Sequence, residues 1–103
     1  MSKISVIAKL TASEGADDDL ETALADLIEA ANGEAGLEIY SVHRVNDEPG
    51  VFYFFELYRD GDAVAEHGTS DAMKSAMGAV GKLLGGRPEV TRMTPVAAKG
   101  LTL

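Results

Sequence analysis

The sequence predicts an α+β fold of four strands and two helices in the order β-α-β-β-α-β, with the second helix broken. Three observations lead there. Two segments carry apolar residues at helical spacing, four carry the alternation or the β-branched and aromatic content of strands, and turn-forming residues separate the segments. The strands pair as one antiparallel sheet with the helices on one face, the split βαβ arrangement of ferredoxin-like folds.

The first strand is Ile4 to Thr11, where Ile4, Val6, Ala8 and Leu10 alternate with a second set in which Ser5 and Lys9 flank Ile7. Leu20, Ala23, Leu24, Leu27, Ile28 and Ala31 then line one side of a helix. Asp17, Asp18 and Asp19 stand at its start, where carboxylates cap free amides and suit the positive end of the helix dipole. Asn32-Gly33 offers a left-handed stop. Strands two and three, Leu37 to Val45 and Val51 to Arg59, are joined by the turn residues Asn46 to Gly50. Past Asp60-Gly61-Asp62, Ala63 to Gly68 reads as a short helix. Helical spacing resumes at Ala72, Met73, Ala76, Met77, Val80 and Leu83 and is expected to stop at Gly85-Gly86. The last strand is Glu89 to Val96, with Pro95 placing it at a strand end or sheet edge.

Strand three is apolar on both parities, because Val51, Tyr53, Phe55 and Leu57 alternate with Phe52, Phe54 and Tyr58. The chain's own helices cover one face only. The other is therefore expected to pack against a second copy, giving a homodimer.

At 103 residues the chain suits a single domain over 1–103, ending in a tail at about 97–103. A net charge of −8, without a basic cluster, argues against a nucleic-acid partner. With no cysteine there is no disulfide or thiolate chemistry. The cytoplasm is then the default location, since neither a signal peptide nor a membrane-spanning stretch is evident.

Motifs narrow the chemistry further. Gly81-Lys82 lacks the P-loop spacing, no GxGxxG follows a strand, His43 and His67 are not spaced as an HExxH zinc pair, and no GxSxG turn exposes a serine. No cofactor or metal is therefore expected. What remains is Glu56, in mid-strand on the same face as Phe54 and Tyr58, with His67 on the next short helix as its natural partner. Such a carboxylate is costly to bury and suits proton transfer. The same residues also suit a self-satisfied buried pair within an aromatic core that includes Tyr40 and Phe52. His43 and Arg44 fall on opposite faces of strand two, and Met73 and Met77 form a packing stripe.

Glu34-x-Gly36-x-x-x-Tyr40, Phe54-x-Glu56-x-Tyr58 and Ala63-x-x-x-His67-x-x-Ser70, in that order, resemble the antibiotic biosynthesis monooxygenase family from about Lys3 through Ser75. The resemblance implies a dimeric α+β barrel with a pocket between sheet and helices in each subunit. For some members it implies oxygenation of quinols or polyphenols without metal or flavin. Tyr58 stands where the family's Glu-x-Trp pattern has its aromatic residue, and Ala72 where a second histidine often follows. Haem-degrading relatives use an asparagine on strand one and a tryptophan, and this chain has neither. Cofactor-free oxygenation needs an apolar aromatic pocket, a base and a donor for a developing oxyanion. His67 and Glu56 are the catalytic candidates, with Tyr40, Phe54 and Tyr58 contacting a small aromatic substrate. Non-catalytic binding of a small molecule, or a purely structural dimer, are the competing expectations.

Overall fold

A computed structural model describes residues 2–103. Its elements are β1 (Ile4–Thr11), α1 (Asp17–Ala30), a 3-10 turn (Ala31–Gly33), β2 (Leu37–Arg44), β3 (Val51–Tyr58), α2 (Gly61–Glu66), α3 (Asp71–Gly81) and β4 (Glu89–Met93). The sheet order is β2-β3-β1-β4, with every neighbour antiparallel. This is the ferredoxin-like α+β fold.

The period-2 pattern of β1 sends Val6, Ala8 and Leu10 to the helix-covered face, where all three are buried. From α1, Leu20 and Leu24 reach that face fully buried and Leu27 nearly so, and they pack with Phe52 and Phe54 of β3 and Met73 and Val80 of α3. Burial of these side chains is worth roughly 1.5–3 kcal/mol each against leaving them in water. A smaller cluster of Val6, Tyr58 and Ala63 sits at the other end of the sheet.

Several ends differ from the sequence expectation. The N-cap of α1 is Ala16, with no side-chain hydrogen bond, so Asp17, Asp18 and Asp19 act from the first turn on the helix dipole rather than as caps. Neither Asn32 nor Gly33 is left-handed; the helix tightens into the 3-10 turn, closed by the Glu34 amide donating to the Ala31 carbonyl at 2.9 Å. In the β2–β3 hairpin, Asp47 and Gly50 take positive φ of 65° and 81°. The short helix α2 begins earlier than expected, because Asp60 accepts from the Ala63 amide at 2.9 Å and caps it. Ser70 caps α3 in the same way through Met73 at 3.1 Å, and left-handed Gly68 makes the turn between the two helices.

At the far end α3 stops at Gly81, before Gly85-Gly86, since the chain must return to β1: Ser13 donates to Leu83 and Gly85 to Thr11, both at 2.8 Å. A Cβ on Gly85 would lie 2.9 Å from the Ala12 carbonyl oxygen, so this glycine serves a close crossing of two backbones. β4 ends at Met93, two residues before Pro95, and Val96 lies almost wholly in solvent.

Candidate active site

The register of the sheet lays out the floor of a cleft between sheet and helices. Tyr40, Glu56, Val6 and Arg92 form one row across β2, β3, β1 and β4, and Val42, Phe54, Ala8 and Val90 form the next. A bulge between Leu37 and Ile39 matters for the first row: it lets Leu37 and Tyr40, three residues apart, both pack toward the helices. The cleft measures about 560 Å³, within the range of small-molecule sites, and its wall is largely apolar. Leu27, Val64, His67, Met77, Val80 and Leu84 close its helical side. Met77, expected only to pack, is partly exposed at this wall.

All five residues singled out from the sequence, Tyr40, Phe54, Glu56, Tyr58 and His67, line this one cleft. Tyr40 stacks on Phe54 with ring centroids 4.8 Å apart. His67 meets Tyr40 and Tyr58 edge-on, at 5.2 and 5.6 Å. The pairing is not the expected one, however. Glu56 receives a hydrogen bond from the Tyr58 hydroxyl, whereas His67 bonds through Nδ1 to Glu34 Oε1 at 2.7 Å. Two-residue spacing makes the first pair local to β3, and the second joins the end of α2 to the turn before β2.

Local backbone structure makes that second bond. The 3-10 turn and a further bond from the Leu37 amide to the Glu34 carbonyl at 3.1 Å fix the backbone at Glu34. Gly36 then allows α2 to settle against the start of β2: a Cβ there would stand 2.5 Å from that of Ala63. His67 is the residue that ends α2. A carboxylate only accepts, so the Nδ1 of His67 carries the proton, and Nε2 is the nitrogen left without a partner among the described residues. Glu34 Oε2 is buried and also has none. Glu34 belongs to the Glu34-x-Gly36-x-x-x-Tyr40 pattern but not to the site expected from the sequence, because a local spacing carries no sign of a contact 33 positions away.

Burial pushes the Glu56 carboxyl above its ordinary value of 4.5; the Tyr58 hydrogen bond and nearby His67 pull against this, and Glu34 adds to it. Burial likewise raises the Tyr58 phenol, helped by its bond to Glu56, and raises the Tyr40 phenol, helped by the charges of Glu56 and Glu34. Both tyrosines therefore stay protonated and can donate. The Tyr58 hydroxyl is committed to Glu56, and the Tyr40 hydroxyl has no protein partner among the described residues. Elsewhere, His43 bonds Ser41 at 3.0 Å on the opposite sheet face, and Arg44 pairs with Glu21 at 2.8 Å. Among the described residues no three His, Asp or Glu side chains gather as a group that would hold a metal ion.

Sheet order and helix placement define a ferredoxin-like α+β protein, with a cleft between sheet and helices edged by a histidine and a carboxylate. The antibiotic biosynthesis monooxygenase family matches residues 3–79, and the chain belongs to that family. Among solved structures it is similar to a candidate antibiotic biosynthesis monooxygenase from Caulobacter crescentus, at 30% identity and TM-score 0.85, covering 93% of this chain and 92% of that one. A Shewanella oneidensis protein is 30% identical with TM-score 0.82, covering 94% of each chain. A Mycobacterium tuberculosis protein is 29% identical with TM-score 0.83, covering 94% of this chain and 98% of the other. No curated protein matches the chain. No helix among the described residues is long and apolar enough to cross a membrane.

Proposed function

We propose that the protein is a cofactor-independent monooxygenase that oxidises a small electron-rich aromatic, a quinol or polyphenol, with dioxygen. The observation that carries this reading is the Glu34–His67 pair at 2.7 Å, which holds one imidazole tautomer with Nε2 unpaired among the described residues at the wall of an aromatic cleft. That is the geometry of a general base oriented by a carboxylate. Family membership supports the reaction class.

In this reading the substrate ring lies over Phe54 and Tyr40, and His67 Nε2 takes the proton of a ring hydroxyl. The phenolate donates one electron to dioxygen. The substrate radical and superoxide then join at a ring carbon, the proton returns from His67, and the resulting hydroperoxide loses water to leave a carbonyl. One oxygen atom stays in the product and the other departs as water, with all four electrons supplied by the substrate. Tyr40, kept protonated by its burial, donates to the developing oxyanion. The proposed working unit is a homodimer.

The test is oxygen uptake over a panel of quinols, with and without chelator. His67→Ala should lower turnover roughly 10²–10⁴-fold with the fold intact. Glu34→Gln should lower it too, since an amide can donate to Nδ1 and move the imidazole proton to Nε2. Unchanged rates in both variants eliminate the pair. The Tyr58–Glu56 bond, closed on itself, favours a second reading of binding without turnover, in which saturable binding occurs and no quinol drives uptake.

A further inference from the structure

We infer that Arg92 anchors an anionic group on the ligand, so that the cleft selects aromatic hydroxy acids, with a carboxylate at the end remote from His67, over neutral phenols. The inference rests on the proposed aromatic ligand and adds its charge class.

Arg92 is the cation on the β4 side of an otherwise largely apolar wall. Antiparallel pairing sets it opposite Val6, which in turn is opposite Glu56, so all three project from the same face in one row. Two strand spacings separate Arg92 from Glu56, about 10 Å between backbones. His67 lies over the other end of that row, against the rings of Tyr40 and Tyr58. The cleft is thus polar at both ends and apolar between. Arg92 is exposed and belongs to none of the ion pairs that Lys3, Arg44, Arg59 and His67 make among the described residues. Its guanidinium is always charged and matches a carboxylate through two parallel hydrogen bonds. The chain as a whole carries −8, which opposes an anion everywhere else, so a preference for an acid has to come from a local cation. Arg92 also lies beyond residues 3–79, the stretch shared with the family, and so belongs to the part of the cleft the family pattern does not describe.

The experiment compares 6-hydroxy-2-naphthoic acid with 2-naphthol by calorimetric titration of the unsubstituted protein, Arg92→Gln, Arg92→Lys and Arg87→Gln. The acid should bind about tenfold more tightly than the phenol. Arg92→Gln should remove that advantage while leaving 2-naphthol affinity unchanged, Arg92→Lys should keep part of it, and Arg87→Gln should keep all of it. Circular dichroism confirms that the variants fold. No preference for the acid in the unsubstituted protein, including binding of neither probe, overturns the inference. An Arg92→Gln loss shared by both probes does the same. Because the readout is binding, a protein that prefers the acid through Arg92 yet consumes no oxygen tells against the monooxygenase reading and not against the anchor.

Discussion

Glu56 is the residue at which burial and ionisation are most directly opposed. Its carboxyl is raised above 4.5 mainly by burial, so the folded chain holds a proton more tightly than the unfolded one. The stability this contributes is fully present below the unfolded value and is lost as pH rises through the folded one. Glu56→Gln removes that dependence. Melting temperatures of the two proteins at pH 4 and pH 8 should therefore diverge, with the Gln variant gaining on the original at the higher pH. A constant difference across that range would show that Glu56 ionises as freely in the fold as outside it. Strand alternation made the position of Glu56 beside Phe54 and Tyr58 legible in the sequence. Its bond to Tyr58 rather than to His67 was not, because the partner choice depends on where the end of α2 comes to rest.

That resting place is decided at the scale of elements, by α2 against the start of β2. Gly36 and Ala63 meet with no room for another carbon, and the Arg59 amide donates to the Gly36 carbonyl at 2.8 Å beside them. Gly36→Ala should push α2 off the sheet, costing about 1–3 kcal/mol as overpacking does. It should also lengthen the His67–Glu34 bond. Chemical denaturation measures the first effect and the imidazole nitrogen chemical shifts the second; a variant as stable as the original, with His67 shifts unmoved, would show that α2 yields without cost. The bulge in β2 is the other element-scale device. Simple alternation from Leu37 would have sent Tyr40 to the far face of the sheet, and the extra residue returns it to the cleft.

For the whole molecule, the open question is the far face of the sheet. Ile7 and Tyr53 are more than a third exposed there, Ile39 and Phe55 are half-buried beside them, and no helix among the described residues covers that side. Sheet-to-sheet pairing with a second copy would remove this surface from water. Sedimentation should accordingly give about two chains per particle, and Ile7→Asp with Tyr53→Asp should give a folded monomer, since neither side chain contributes to the core under the helices. A monomer at micromolar concentration that binds no hydrophobic dye would remove the case for a dimer.

Local sequence determined the type and order of the strands and helices: the spacing of residues such as Leu20, Leu24 and Leu27, or Val6, Ala8 and Leu10, says whether a segment buries a stripe or a face, β-branched and aromatic content marks β2 and β3, and turn residues separate the segments. The same logic determined that Phe54, Glu56 and Tyr58 share a face. Only the tertiary structure decided that His67 bonds Glu34, that α3 stops at Gly81 so that Gly85 can cross β1, and that Arg92 stands in line with Glu56. Each of these joins residues far apart in the chain. Their meeting is set by sheet register and by the close approach of backbones at glycines, which no local pattern of polarity encodes.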